Sequence, residues 1–326
     1  MQRLFVIHES WPIAGSFTIS RGSKTTADVV VVKIERDGTV GRGECVPYRH
    51  YGETVESVMT ALEEQRPVIE EGIERDEIPT LLAPRAARNA LDCALWDLAC
   101  KRAGRRIWEL LDQREPKKLV TTFTISLDSP EKMATAAARA AERPLLKLKL
   151  GGGGDVERLR AVRQAAPRSR LIVDANEGCA PAELPVLLNA CAAVGVEMIE
   201  QPLPAGRDDL LRTLKRIVPV CADESAHDEN SLPGLRGKYD LINIKLDKTG
   251  GLTQALALRR AAESLGFGIM VGCMLATSLS MAPAFVLAQG AKFVDLDGPL
   301  LLARDRDPAI HYQDGYMYGP DSALWG

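Results

Sequence analysis

Leu145–Leu146–Lys147–Leu148–Lys149–Leu150 is the stretch on which the reading of the fold turns. Two lysines sit at i and i+2 inside an apolar run. A strand alternates its faces, so both lysines point the same way, about 6.6 Å apart along it. Similar apolar runs follow, and each ends in an acid or a base: Leu171–Asp174, Glu197–Glu200, Val220–Asp223, Leu241–Lys245 and Phe293–Asp297. Such repetition predicts one site assembled from many strand ends.

From Leu119 onward strand-like and helix-like segments alternate. Candidate strands start near Leu119, Leu145, Leu171, Glu197, Val220, Leu241, Ile269 and Phe293. Between them lie helical patterns at Pro130–Ala141, Val156–Ala165, Leu184–Val194, Asp208–Arg216 and Leu252–Ser264. Units of this size close into an α/β fold, a TIM-like (β/α)8-type barrel or a variant with one helix altered. An open doubly wound sheet is the alternative. It usually carries a Gly-rich first turn, but Gly151–Gly154 is followed by Val156 where G-x-G-x-x-G needs glycine, and no Walker A pattern occurs.

The first part of the chain has no such alternation. Leu4–Ile7 and Asp28–Ile34 are β-rich, with Gly41–Arg42–Gly43 as a turn. One helix is expected from Thr54 and a second from about Pro84 to Arg102. Strands followed by helices predict an α+β domain over residues 1–117, with the barrel over 118–310. Within the first domain, Phe17–Thr25 mixes small residues with Arg21 and Lys24. It reads as a solvated loop or as a mobile flap, near residues 16–26, bringing a positive charge to an anionic ligand.

The 326 residues are 46% hydrophobic and carry a net charge of −3, without a basic block, which argues against a nucleic-acid partner. The seven cysteines show no C-x-x-C spacing and read as buried thiols of a reducing compartment. Met1–Glu9 has no signal-peptide pattern, and no run of about 18 apolar residues occurs. A soluble cytoplasmic protein, with no membrane partner, is the expectation.

Barrel active sites lie at the C-terminal strand ends. In an eight-strand ring the second and sixth strands face each other, which opposes Lys147 and Lys149 to Lys245. Asp174, Glu200 and Asp223 fill the arc between them. Each carboxylate alone reads as a loop cap or salt-bridge partner, but three converging would repel one another without a cation. An all-oxygen set suits Mg²⁺, and no His or Cys stands among them to favour zinc; His8, His50, His227 and His311 lie off the strand ends. Facing lysines then offer a base on either side of one substrate carbon. A metal-bound carboxylate acidifies its α-proton by stabilising the enediolate; one lysine removes the proton and the other returns one from the opposite face. Lys147 is expected to depress the pKa of Lys149 by like-charge repulsion.

Asp295 and Asp297, on the eighth strand, read either as loop caps before Gly298–Pro299 or as an acidic pair for a substrate cation. An ammonium on the reacting carbon itself would sit too near the metal to reach them. One residue farther away it would, which describes a dipeptide, with its carboxylate at the metal and its ammonium at the eighth strand. A cation from Arg21 or Lys24 would then favour an anionic C-terminal side chain such as glutamate.

Lys147-x-Lys149, Asp174–Ala175–Asn176, Glu200–Gln201–Pro202, Asp223–Glu224–Ser225 and Asn243–Ile244–Lys245 resemble the muconate-lactonizing subgroup of the enolase superfamily. That superfamily is a known case of a Lys or His base working with Mg²⁺. Within it, Asp295-x-Asp297, Ala87–Asp92 and Asn243–Gly251 are similar to dipeptide epimerases, those of L-Ala-D/L-Glu above all. The resemblance implies a capping domain, a (β/α)7β barrel and a C-terminal tail, residues 311–326, returning to the cap. It implies one Mg²⁺ per subunit on Asp174, Glu200 and Asp223, with Lys149 and Lys245 as the acid/base pair. Asp295 and Asp297 would hold the ammonium, and Thr124 and Cys273 would line the pocket. It also implies murein-peptide recycling and a homo-oligomer. Muconate cycloisomerisation, o-succinylbenzoate synthesis and racemisation of N-acylated amino acids share the lysines and the metal site. Their substrates carry no ammonium for Asp295 and Asp297.

Overall fold

The computed structural model describes residues 2–326. The chain opens with an antiparallel sheet of β1 (Gln2–Ile19), β2 (Gly22–Arg36) and β3 (Thr39–Cys45), in that order. The first two strands run well past the expected Leu4–Ile7 and Asp28–Ile34. Pairs Phe17↔Lys24, Thr18↔Ser23 and Ile19↔Gly22 extend them into a long hairpin with Ser20 and Arg21 at its tip. The stretch read as a loop is therefore the end of a ladder, whose partner strand supplies the order that its polar composition does not advertise.

Helix Val55–Glu64 starts at Thr54, whose side chain and that of Ser57 cap each other's backbone N–H. Helix Ala86–Ala103 lies on β3. A Cβ at Gly43 would stand 2.1 Å from the carbonyl oxygen of Ala90, so only glycine lets strand and helix meet this closely. The opposite face of the helix meets the barrel. Asn89 donates to Asp247 at 2.8 Å, and Asp92 accepts from the Thr253 N–H at 3.0 Å. With both faces covered, the helix shows little amphipathic pattern.

β4 (Leu119–Val120) is not the first barrel strand. It pairs with a hairpin of β13 (Tyr312–Gln313) and β14 (Tyr316–Met317), where Lys118 also lies over the Tyr316 ring at 4.2 Å. The barrel starts four residues later with β5 (Phe123–Ile125). Seven parallel strands follow: β6 (Leu145–Lys149), β7 (Arg170–Asp174), β8 (Val196–Glu200), β9 (Val220–Ala222), β10 (Leu241–Ile244), β11 (Gly268–Gly272) and β12 (Phe293–Asp295). The ring closes between its ends through the Thr122 N–H to the Val294 carbonyl and the Leu296 N–H to Thr121 Oγ1, both 2.9 Å.

Helices Pro130–Arg139, Asp155–Ala165, Leu184–Ala193 and Leu252–Ser264 fall where the periodicity predicts them. The Asp208–Arg216 helix does not form; only a single 3-10 turn, Asp209–Arg212, stands there. Its charged residues are drawn to loop partners instead. Asp208 accepts from the hydroxyl of Tyr239 and the ammonium of Lys238, and Arg216 donates to the carbonyls of Leu211 and Gly237. A further helix, Ser278–Leu287, is buried along its whole length.

One layer of the barrel interior is apolar: Leu145, Ile172, Met198, Cys221, Leu241, Met270 and Phe293. Two residues farther along each strand the same inward face carries Lys147, Asp174, Glu200, Asp223, Asn243, Gly272 and Asp295. The period of two thus sets a polar layer directly on an apolar floor.

Candidate active site

The polar layer is dense with charge. Lys147, fully buried, lies 2.6 Å from both Glu200 Oε2 and Asp295 Oδ2 and 3.2 Å from Asp174 Oδ2. Lys149 Nζ donates to Asp174 Oδ2 and Lys245 Nζ to Asp223 Oδ2, each at 2.6 Å. Lys147, Lys149 and Lys245 line one pocket with Thr124, Cys273, Asp295 and Asp297. The lysines of β6 and the lysine following β10 therefore meet across the barrel.

Burial alone would lower the pKa of Lys147, but Asp295, Glu200 and Asp174 outweigh it and hold the ammonium well above the ordinary lysine value. Lys245 is likewise raised, mainly by Asp223 and Glu200 against its desolvation. Burial would raise Asp174, yet Lys149 and Lys147 bring it below the usual carboxylate range. Lys245 and Lys248 do the same to Asp223. Glu200 goes the other way: desolvation, then the charge of Asp174, pushes it up to about 7.

Asp174, Glu200 and Asp223 are the residues that could hold a metal. Among the described residues no three His, Cys, Asp or Glu side chains are drawn together as a preformed cluster; each carboxylate leans on a lysine. Glu200 Oε2, although near Lys147, lies at an angle that makes no hydrogen bond, and Asn176 Oδ1 and Glu224 Oε2 are also buried without a donor. Orphaned oxygens and a carboxyl pushed up to about 7 by burial and by Asp174 mark an unmet demand for positive charge. A hard, oxygen-seeking divalent cation fits it.

The loops beyond these carboxylates are strained. Asn176, Glu177 and Gln201 have φ of 44°, 65° and 31°, in the left-handed region unfavourable to side chains. Gln201 repays part of that cost. Its Oε1 accepts from the N–H groups of Asp223 and Ser225, and its Nε2 donates to Leu203 O, Ser225 Oγ and the Tyr239 hydroxyl.

Asp295 and Asp297 differ. Asp295 is occupied by Lys147 and by the Thr122 hydroxyl. Asp297 accepts the Thr124 N–H at 2.6 Å and has no ion-pair partner among the described residues. Burial and then the neighbouring Asp295 push it up to about 7. Neither Arg21 nor Lys24 lines the pocket. Arg21 spans Glu224 at 2.7 Å, Glu177 at 3.2 Å and the Tyr48 hydroxyl at 3.0 Å, and Lys24 lies over the Tyr48 ring. Two carboxylates within reach of the hairpin tip claim its guanidinium. The same hairpin reaches the pocket with Phe17 instead, beside Met274, Leu275 and Leu301. Sequence reasoning passed over those apolar residues and Lys248. Lys248 donates to Asp223 Oδ1 and O at 2.6 Å and to the Asn243 carbonyl at 2.9 Å. Its spacing of three from Lys245, at the start of a helical turn, was the available signal.

Residues 1–112 match the mandelate racemase/muconate lactonizing enzyme N-terminal domain, and residues 132–323 match the enolase C-terminal domain-like model. The chain is 44% identical to the L-Ala-D/L-Glu epimerase of Escherichia coli K12, over 98% of this chain and 100% of that protein. It is equally 44% identical to an N-acetyl-D-glutamate racemase from a Pseudoalteromonas species, over 91% of this chain and 95% of that protein. A crystal structure of an enolase family member from Agrobacterium tumefaciens, described as having homology to dipeptide epimerases and solved with sodium and L-Ala-L-Glu, superposes with a TM-score of 0.99 at 51% identity, each chain wholly covered. With matching models over both its domains, this chain belongs to the mandelate racemase/muconate lactonizing enzyme family, whose C-terminal domain is enolase-like.

Proposed function

We propose that this protein is a dipeptide epimerase acting on L-Ala-D/L-Glu, by proton transfer at the α-carbon of the C-terminal residue. The observation that carries this reading is Asp297, a buried carboxyl on the pocket wall with no cation of its own, in a site where Lys149 and Lys245 line the same cavity. Mg²⁺ on Asp174, Glu200 and Asp223 would supply positive charge for the substrate carboxylate and for the charge that appears as the α-proton leaves. Lys149 and Lys245 hold and move the proton at their Nζ atoms, one on each face of the carbon. Asp174 and Asp223, each 2.6 Å from one of these amines, keep the two Nζ atoms in place. Asp297, backed by Asp295, takes the substrate ammonium, and Lys147 neutralises the carboxylates beneath. L-Ala-D-Glu is a murein fragment, so the reaction would serve recycling of wall peptides inside the cell, and we expect a homo-oligomer.

Racemisation of an N-acylated glutamate is the second reading, favoured by the Pseudoalteromonas relative. The two substrates differ at one group, the ammonium. Chiral chromatography of L-Ala-D-Glu and N-acetyl-D-glutamate, each incubated with Mg²⁺-loaded protein, separates them. Faster conversion of the dipeptide supports the proposal; conversion of the N-acetyl compound alone would replace it with the second reading.

A further inference from the structure

The apolar side of the pocket is held from outside by a buried charge network that joins cap to barrel. Glu44 on β3 is 1% exposed. Its carboxylate accepts the Thr277 N–H at 2.8 Å and the Thr277 hydroxyl at 2.5 Å. Arg306, in the segment after β12, donates to Glu44 Oε2 at 2.5 Å, to Thr277 Oγ1 at 2.6 Å and to Glu9 on β1 at 2.7 Å. Its guanidinium also lies over the ring of Trp11, 5.1 Å from the centroid. Thr277 caps helix Ser278–Leu287 and ends the short segment that carries Met274 and Leu275 into the pocket.

Beside this network Ile13, Ala27 and Leu302 form a small apolar cluster, with Phe17 and Leu275 packed on it. The Ala303 N–H donates to the Pro12 carbonyl at 2.8 Å. Three chain segments that form the pocket wall thus meet at one point, and Arg306 with Glu44 fixes their spacing. A carboxylate as buried as Glu44, paired with the Arg306 guanidinium and with both its oxygens engaged, favours one arrangement, because the carboxylate left alone would be stranded away from water.

We propose that Glu44 and Arg306 are positioning residues for the pocket wall formed by Phe17, Met274 and Leu275, and so determine which substrate side chain is accepted without touching substrate. The part concerning dipeptide choice rests on the epimerase reading above. Asp92 provides a matched control. It too is a buried cap carboxylate that accepts the N–H and hydroxyl of a barrel threonine at the start of a helix, Thr253, but the segment leading into that threonine carries no pocket-lining side chain nearer than Lys245.

The test compares wild type with Glu44→Gln, Arg306→Lys and Asp92→Asn. Hydrogen exchange of the 273–277 amides is measured on each protein without substrate, and KM and kcat are measured over a panel of L-Ala-L-X dipeptides. Glu44→Gln should speed exchange in 273–277 and raise KM about tenfold, while kcat stays within about threefold and the order of preferred dipeptides changes. Arg306→Lys, which keeps the charge but not the fork, should fall between it and wild type. Asp92→Asn should lower Tm yet leave both readouts at wild-type values. Unchanged exchange and KM in Glu44→Gln, or an equal KM shift in Asp92→Asn, would overturn the proposal. If wild type turned over no dipeptide, the epimerase reading would fail, and exchange of 273–277 would still decide the clamp.

Discussion

Replacing Asp297 with Asn should separate binding of a dipeptide from the chemistry at its α-carbon. Asp295 already serves Lys147, whereas Asp297 is held by Thr124 alone. Asn keeps an oxygen for the Thr124 N–H but removes the charge that an ammonium would meet. A hydrogen bond to a charged group contributes about 1.5–3 kcal/mol, so kcat/KM for L-Ala-L-Glu should fall roughly 10- to 150-fold. N-acetyl-L-glutamate, with no ammonium, should change by less than about threefold under the same scale. The carboxyl is pushed up to about 7, and only its ionised form pairs with a cation. The wild-type KM for the dipeptide should therefore drop as pH rises through that value, and the variant should lose this dependence. Stability moves oppositely. An acid whose folded pKa is raised from 3.8 to about 7 gives up stability as pH climbs between those values, so Asp297→Asn should have an equal or higher Tm than wild type at pH 8. Steady-state kinetics by chiral chromatography, with Tm by calorimetry, reads all of this. Equal losses for both substrates, or no loss for either, would refute the ammonium role.

Lys149→Ala and Lys245→Ala should each abolish epimerisation. Each should retain α-proton exchange from one stereoisomer only, followed by NMR in deuterium oxide; full activity in either contradicts the acid/base pair. Chelation by EDTA should stop exchange and added Mg²⁺ restore it, whereas exchange persisting in metal-free protein argues against the carboxylate triad as a metal site. Gly43→Ala would force a Cβ to 2.1 Å from the Ala90 carbonyl, and overpacking of that kind costs about 1–3 kcal/mol or more; a Tm within a degree of wild type would show that β3 and its helix are not in this contact.

Much of the candidate site could be read from sequence because a strand's period of two ties each polar residue of the inner layer to an apolar residue two positions before it. Ile172 and Asp174, Met198 and Glu200, or Phe293 and Asp295 share a face whatever the rest of the chain does. Features that depend on remote partners were not legible. Leu119–Val120 has strand composition, but only the C-terminal hairpin shows that its partner lies outside the barrel. Asp208–Arg216 has helical spacing, yet Arg216 and Asp208 are drawn to the Gly237 carbonyl and the Tyr239 hydroxyl, 21 and 31 residues along the chain. The Ser278–Leu287 helix is apolar all round and carries Pro283, so it lacks both the polar face and the uninterrupted pattern that announce a helix. Arg21 carries the charge expected of the hairpin, but Glu224 and Glu177, more than 150 residues away, decide where that charge goes.

Deuterium incorporation by the wild-type protein, with Mg²⁺ and either L-Ala-L-Glu or L-Ala-D-Glu in deuterium oxide, tests the two-lysine arrangement most directly. The arrangement predicts label at the glutamate α-carbon from both diastereomers, with each converted to the other. Label from neither, in protein that remains folded and metal-loaded, would contradict it.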